Sequence, residues 1–298
     1  MKIIIFGFVL DTSFIVYFDR MLSILECEKA DIYIYKSLHK HLNDKHKKSI
    51  DSKYPVISKA AEIDGKVDFI FSIGGDGTFL KASLFLENYN IPVVGINSGR
   101  LGFLSSISKL DLEEGITKII NGNFDLEERS MLEIISENKV FDGANYAINE
   151  VTVAKTDSSS MINVHVNIDG EYLNTFWADG LIISTPTGST GYSLSVGGPI
   201  ISPDCQCFVI SPIAPHSLTV RPIIIPDSSE IEIRVEGRTN KYLIALDSRS
   251  DQVDLHYSFK LKKSYQKVKT ARLGNRSFYS NLREKLNWGK MKSESSKF

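Results

Sequence analysis

Residues 67–79 read VDFIFSIGGDGTF, an apolar run that ends in a loop of three glycines around one aspartate and resumes helical spacing from Phe79. The pattern predicts a β-strand, a glycine-rich loop and a helix. Glycines let a backbone come close to a bulky anion, and a helix N-terminus favours negative charge. A carboxylate at Asp76, held where phosphates would lie, is suited to handling a proton or a metal ion.

The loop differs from two common nucleotide-binding patterns. The chain has no G-x-x-x-x-G-K-[ST] stretch, so a P-loop is absent, and the order Gly-Gly-Asp-Gly-Thr is not a G-x-G-x-x-G fingerprint. A tight glycine turn at a strand end, with Asp76 or Thr78 merely capping the helix, remains a structural alternative.

A second motif spans residues 179–199, which read DGLIISTPTGSTGYSLSVGGP. It predicts a short buried strand that runs into a loop dense in hydroxyls and glycines. Hydroxyls and bare backbone amides bind ribose and phosphate oxygens, and Tyr192 can offer a ring face or a phenol to a base or sugar. A polar surface loop is the alternative, although such loops rarely interleave with Leu, Ile, Val and Pro.

Alternating patterns predict two domains. Strands at 2–10, 31–35, 67–73 and 92–97 alternate with helices at 12–26 and 78–88, which favours a parallel sheet flanked by helices. The chain then becomes β-rich, with a hairpin signal at Asp169-Gly170. We therefore expect an α/β domain over residues 1–125, a β-rich domain over 126–268, an active site in the cleft between them, and a tail, 269–298, whose amphipathic helix packs back on the first domain.

Composition and charge argue against a nucleic-acid-binding, membrane or disulfide-bonded protein. The 298 residues carry a net charge of −1, so no overall field favours nucleic acid or an anionic membrane. No apolar run reaches membrane-spanning length, and three cysteines without a Cys-x-x-Cys pair are typical of reduced thiols in a cytoplasmic protein. Residues 36–48 hold three histidines and five lysines, which predicts a solvent-facing segment with room to act as a flap.

Taken together, these segments resemble the NAD kinase family, specifically its bacterial members. The resemblance rests on five motifs in the family's order: GGDGT at 74–78, NSGRLGFL at 97–104, NE at 149–150, the run at 179–199, and SPIAPHSLTVRP at 211–222. The glycine loop alone would be weak, because phosphofructokinases and diacylglycerol-type lipid kinases carry similar loops. The run at 179–199 makes the match specific.

The resemblance implies phosphoryl transfer from ATP to the 2′-hydroxyl of the adenosine ribose of NAD, which gives NADP. Such transfer uses a divalent metal, Mg²⁺ or Mn²⁺, across the donor phosphates. It also implies a cytoplasmic homo-oligomer, a dimer or a tetramer. The exposed-edge character expected of Glu230–Val235, which would need covering, supports oligomerisation through the β-rich domain. No side-chain metal site, nucleic acid or membrane partner is expected.

The resemblance also implies roles for individual residues. Asp76 would accept or orient the 2′-hydroxyl proton, and the donor phosphates would be lined by Gly74, Gly75, Gly77 and Thr78. Asn149 and Glu150 would bind the ribose or adenine, although taken alone they are more simply interpreted as the start of a strand, and Asp179 would meet the nicotinamide amide. The adenine and its ribose would be surrounded by Thr187, Thr190, Gly191, Tyr192 and Ser195.

The chain departs from the family at two positions. Many relatives have an arginine where this chain has Trp177, so phosphate charge would be neutralised by Arg100, by Arg221 or by the metal; either arginine, like His216, could also be an ordinary loop residue. Gly191 replaces a common alanine. Two other functions stay open, a related kinase with a lipid acceptor and a non-catalytic nucleotide-binding regulator. No clear membrane face supports the first, and the intact Asp76 loop argues against the second.

Overall fold

A computed structural model describes residues 1–46, 53–85, 90–99, 102–136, 140–141, 144–157, 160–274 and 277–289. The chain divides into two compact units. The first comprises Met1–Glu127 together with Lys269–Phe298, and the second is Glu128–Val268.

The first unit is built on a parallel sheet. Its elements are β1 (Lys2–Gly7), α1 (Ile15–Cys27), β2 (Asp31–Tyr35), α2 (Lys36–His46), β3 (Val56–Ile57), β4 (Phe69–Gly74), α3 (Asp76–Phe85), β5 (Val93–Asn97), β6 (Ile107–Ser108) and α4 (Leu112–Ile120), with short 3₁₀ turns at Thr12–Phe14 and Ala60–Glu62. The strand order is β3-β2-β1-β4-β5, with β6 beside β5 and every pair parallel. This is the arrangement that alternating strands and helices predict.

The central strands of this sheet are covered on both faces. All five residues of β5 are buried, as are the first five of β4, which explains why these strands read as continuous apolar runs rather than alternating ones. Helices α1 and α4 pack on the sheet through Phe18, Met21 and Ile116. Because the strands are parallel, their carboxyl ends share one edge, and the glycine loop that follows β4 lies at that edge.

The prediction for residues 36–48 was wrong in part. Residues Lys36–His46 form α2, in which Leu38 and Leu42 have no exposed surface and belong to the core of the unit. The lysines and histidines of the helix obscured an apolar stripe at i and i+4, which is the spacing of one helical face. Lys47 and Lys48 lie outside the described residues.

The second unit consists of two antiparallel sheets. Its elements are β7 (Asp125–Ile135), β8 (Tyr146–Ala147), β9 (Glu150–Lys155), β10 (Ile162–Ile168), β11 (Glu171–Ala178), β12 (Gly180–Ser184), a 3₁₀ turn at Thr187–Thr190, α5 (Tyr192–Ser195), β13 (Cys207–Ile213), β14 (Ile223–Pro226), β15 (Ile231–Glu236), β16 (Lys241–Leu246), β17 (Arg249–Asp254) and β18 (Phe259–Arg272). One sheet contains β11-β10-β15-β18 and the other runs β14-β13-β12-β9-β16-β17. Residues from both sheets form a single apolar cluster, so the two sheets pack face to face.

Two local predictions in this unit have opposite outcomes. The Asp169-Gly170 hairpin is confirmed, because both residues have positive φ, 52° and 84°, and Ile168 pairs with Glu171 across the turn. The edge character of Glu230–Val235 was wrong, because β15 pairs with β10 on one side and with β18 on the other. A central antiparallel strand with one solvated face alternates apolar and polar residues just as an edge strand does. The alternation therefore could not distinguish a central strand from an edge strand.

The tail returns to the first unit. The last residues of β18 belong to that unit, where Thr270 pairs with Val93 of β5. A final helix, α6 (Phe278–Leu286), buries Leu282 and holds the Lys285 ammonium 5.8 Å from the ring centroid of Phe103. Among the residues that the structure describes, no helix combines the length and the apolar character needed to cross a bilayer.

Candidate active site

Asp76 is held in place by a loop remote from it in sequence. It is the first residue of α3, and its carboxylate accepts the backbone N–H of Phe103 on Oδ2 at 2.8 Å and that of Leu104 on Oδ1 at 3.1 Å. Both hydrogen bonds go outside the helix, so this side chain does more than cap α3. Two such bonds fix the carboxylate, and each oxygen keeps a lone pair for another donor.

The glycines of the two loops divide into tight and open positions. A Cβ at Gly74 would lie 2.4 Å from Thr78 Oγ1, and one at Gly102 only 1.8 Å from Asp76 Oδ1. At Gly75 and Gly77, both exposed, a Cβ would meet no heavy atom within 4 Å. The first pair lets the loops close on the carboxylate, and the second leaves the backbone accessible to a bulky ligand.

Glu150 is the first residue of β9 in the second unit, Asn149 directly precedes it, and a hairpin turn holds both in place. The Asp247 carboxylate accepts three consecutive backbone N–H groups, from Ile148 at 2.9 Å, Asn149 at 2.7 Å and Glu150 at 3.2 Å. Asp247 lies between β16 and β17 with a φ of 51°. Sequence reasoning missed Asp247, since an aspartate between two alternating runs reads simply as a turn residue.

The Glu150 carboxyl is in an unusual electrostatic environment. The residue is 8% exposed. Burial, reinforced by the negative charge of Asp247 and opposed by a backbone hydrogen bond from Tyr192, raises the pKa of Glu150 to about 7. Burial also raises the pKa of Asp247, against the three amide hydrogen bonds and the Arg249 guanidinium, which favour its charged form.

Asn149 and Glu150 each have one polar atom without a protein hydrogen-bond partner among the described residues. Within the described part of the chain, Asn149 Oδ1 and Glu150 Oε2 are buried and accept or donate no hydrogen bond. Buried polar atoms almost always have a partner, so a bound molecule with hydroxyl or amino groups would satisfy them. Asn149 and Glu150 therefore lie at the start of a strand and have polar atoms that are free to bind a ligand.

The hydroxyl-rich run is an internal support rather than a surface loop. Thr185 donates to the Ile148 carbonyl at 2.6 Å, and Ser189 bonds to Pro186 and Ile201. The Thr185 bond joins the loop to the segment that carries Asn149, and the Ser189 bonds hold the loop itself together. Sequence reasoning treated the hydroxyls alike, whereas the buried ones hold the loop.

The structure brings only some of the predicted residues together. A Cβ at Gly191 would lie 3.1 Å from Glu150 Oε2 and 3.3 Å from Asn149 Nδ2, so these three residues are neighbours, with Tyr192 next in the chain and 44% exposed. Thr187 is buried, Thr190 is half-buried and bonds to the Thr187 carbonyl, and Ser195 is exposed.

Asp179 lies at the opposite end of β9 from Glu150. It forms an ion pair with Lys155, whose Nζ is 2.6 Å from Asp179 Oδ1. Nearby in the chain, the Trp177 and His216 rings contact each other in a tilted arrangement, with centroids 4.1 Å apart and an angle of 30° between the planes, which gives His216 a packing role. The Arg221 guanidinium donates to the carbonyls of Leu218 and Val220. Arg100 lies outside the described residues.

Two protein-family models match this chain and together cover most of its length. The model of the ATP-NAD kinase N-terminal domain matches residues 4–124, and that of the ATP-NAD kinase C-terminal domain matches residues 148–273. The chain belongs to the NAD kinase family. The family resemblance and the two-domain fold class inferred from the sequence are thereby confirmed.

Individual NAD kinases and their fold agree with this assignment. The NAD kinase of Cytophaga hutchinsonii is 51% identical over 225 residues, 76% of this chain and 77% of that protein. That of Flavobacterium psychrophilum is 40% identical over 294 residues, 98% of this chain and 99% of that protein. Yeast NADH kinase, solved in complex with NADH, has the same fold, with a TM-score of 0.85 at 22% identity over 99% of this chain and 90% of its own.

Gly102 offers a test of how Asp76 is held. We expect Gly102→Ala to lower kcat for NADP formation by about 100-fold, because the new methyl group would displace the carboxylate by an ångström or more. Gly274→Ala, where a Cβ meets nothing within 4 Å, is the control and should behave as wild type. Full activity in a folded Gly102→Ala protein would show that the carboxylate does not need this position.

Glu150 offers a test of the buried acid. Its folded pKa of about 7 exceeds the ordinary value of 4.5, so its contribution to stability is fully present below pH 4.5 and is lost as the pH rises through 7. Relative to Glu150→Gln, the wild-type protein should therefore lose stability between pH 5 and pH 8. Urea midpoints of both proteins at the two pH values measure this difference, and a difference that stays constant would contradict the raised pKa.

Proposed function

We propose that this chain transfers the γ-phosphate of ATP to the 2′-hydroxyl of the adenosine ribose of NAD, which gives NADP and ADP. The observation that carries the proposal is the Asp76 carboxylate, fixed by two backbone amides beside an open glycine backbone at a helix N-terminus. Membership of a family whose models are those of ATP-NAD kinase supports both substrates.

Asp76 supplies the proton chemistry. The 2′-oxygen forms a bond to the γ-phosphorus, the bond from that phosphorus to the bridging oxygen of ADP breaks, and the hydroxyl proton passes to or is oriented by the carboxylate. Gly74, Gly75, Gly77 and Thr78 are assigned to the donor phosphates, since the open space beside Gly75 and Gly77 lets phosphate oxygens reach the backbone amides.

The second unit is assigned to the acceptor. The partnerless oxygens of Asn149 and Glu150 suit ribose hydroxyls or the adenine amino group. Gly191 leaves room beside these two side chains, because a Cβ there would lie close to Glu150 Oε2 and Asn149 Nδ2, and Tyr192 offers an exposed ring for stacking. Thr187, Thr190 and Ser195 complete the proposed surroundings of the adenosine.

A divalent metal ion, Mg²⁺ or Mn²⁺, is proposed to arrive with ATP. The described residues contain no group of three or more His, Cys, Asp or Glu side chains that could hold an ion. Mg²⁺ in kinases is usually held by substrate phosphates and water with only one or two carboxylates, so a dedicated cluster of side chains is not required. When bound, the ion would neutralise charge on the transferred phosphoryl group.

The location and the oligomeric state of the enzyme are also part of the proposed function. We infer a cytoplasmic homo-oligomer, a dimer or a tetramer, on the family resemblance alone, because the edge-strand argument for Glu230–Val235 does not hold. A lipid acceptor or a purely regulatory role is not favoured, since the curated relatives at 40–51% identity are NAD kinases.

Asp76→Asn tests the reaction directly. The amide keeps the shape and one acceptor oxygen but removes the charge, so we expect NADP formation from ATP and NAD to fall by about 10²–10⁴-fold, the usual worth of a positioned general base. Asp64→Asn, at an exposed position of the same unit, is the control. Near-normal NADP formation by a folded Asp76→Asn protein would show that the proton is handled elsewhere.

Substitution of Asp179 tests how the enzyme discriminates NAD, the acceptor, from ATP, the donor. ATP and NAD share adenine, so a contact beyond it must discriminate, and the Asp179 carboxylate can accept from the nicotinamide carboxamide. We expect Asp179→Ala to raise the KM for NAD by about tenfold and to leave the KM for ATP within about twofold. Lys155→Met removes the ion pair but keeps the carboxylate, and it should change the KM for NAD less. A change confined to ATP would reverse the assignment.

A further inference from the structure

We propose that Asp247 is the positioning residue of the acceptor site, and that it sets the affinity for NAD by fixing the backbone that carries Asn149 and Glu150. This inference rests on the proposed function of that site. Asp247 touches neither substrate in this account and acts only through the two residues that it holds.

The hydrogen bonds converge on one side chain. Asp247 Oδ1 accepts from Asn149 at 2.7 Å and from Glu150 at 3.2 Å, and Oδ2 accepts from Ile148 at 2.9 Å. The Asp247 N–H in turn donates to the Glu150 carbonyl at 3.0 Å. Three successive peptide units are thus fixed by one residue, and the directions in which the Asn149 and Glu150 side chains leave the backbone are fixed with them.

The same hairpin also holds the residues that lead into this segment. Arg249, at the start of β17, donates through its guanidinium to the carbonyls of Ala144 and Tyr146. The hairpin therefore supplies a carboxylate to the amides of residues 148–150 and a guanidinium to carbonyls just before them. Because the carboxylate and the guanidinium both leave one short turn and bind backbone groups on either side of Ala147, the arrangement is suited to preorganising a binding site.

The backbone at Asp247 provides a way to separate turn geometry from the carboxylate. Its φ of 51° is in the left-handed region, which glycine adopts freely and aspartate and asparagine adopt more readily than most other residues. Asp247→Gly therefore keeps the turn and deletes all three side-chain hydrogen bonds. Asp247→Asn keeps the turn and one acceptor oxygen, which can serve Asn149 and Glu150 but leaves Ile148 unpaired.

The test measures NAD binding without ATP and steady-state kinetics with both substrates. We expect the Kd and KM for NAD to rise about tenfold or more in Asp247→Gly and by a smaller factor in Asp247→Asn, with the KM for ATP within about twofold in both. Asp254→Asn, an exposed aspartate of the same hairpin, should match wild type. Should the glycine variant not fold, the asparagine variant decides by the same comparison of NAD with ATP.

Two results would overturn the proposal. One is a folded Asp247→Asn protein with a wild-type Kd for NAD, and the other is an equal rise in the constants for NAD and ATP, which is the signature of general destabilisation. Failure of the proposed function would look different, because the wild-type protein would then form no NADP and bind no NAD.

Discussion

A carboxylate that accepts backbone N–H groups from a segment far away in sequence is the interaction on which the candidate site depends. In the first unit Asp76 binds the amides of Phe103 and Leu104 in this way, and in the second unit Asp247 binds those of residues 148–150. Charge-assisted hydrogen bonds of this kind are stronger than neutral ones, and backbone donors lose no side-chain entropy when they are fixed. Each carboxylate therefore holds its segment by charge-assisted bonds to backbone groups rather than to flexible side chains.

The two units hold their candidate carboxyl groups in contrasting environments. Asp76 is half-buried beside an open loop, whereas Glu150 is buried against a second acid, and its pKa is raised to about 7. Carboxyl groups whose surroundings differ in this way can take different roles at one pH. Asp76 is suited to proton transfer, and Glu150 can offer either a donor or an acceptor to a sugar hydroxyl near neutral pH.

Local patterns predicted much of this architecture, and long-range contacts account for most of what they missed. The strand-loop-helix at Asp76 and the Asp169-Gly170 turn depend on neighbouring residues and could be read from the sequence. The hydrogen bonds of Asp247 to residues 148–150 and the Lys155–Asp179 ion pair join residues distant in the chain, so no local sequence pattern predicts them. In α2, the charges around Leu38 and Leu42 concealed a buried face, and alternation could not distinguish the central position of β15 from an edge.

The most direct test of the central claim is a ³¹P NMR spectrum of the wild-type protein incubated with ATP, Mg²⁺ and NAD. Coupling to the ribose protons assigns each new phosphorus resonance to a hydroxyl position. We expect one new phosphomonoester resonance, coupled to the 2′ proton of the adenosine ribose, that grows in step with ADP. Loss of ATP without that resonance, or phosphate on the 3′-hydroxyl or the nicotinamide ribose, would contradict the assignment of Asp76 and of the acceptor site.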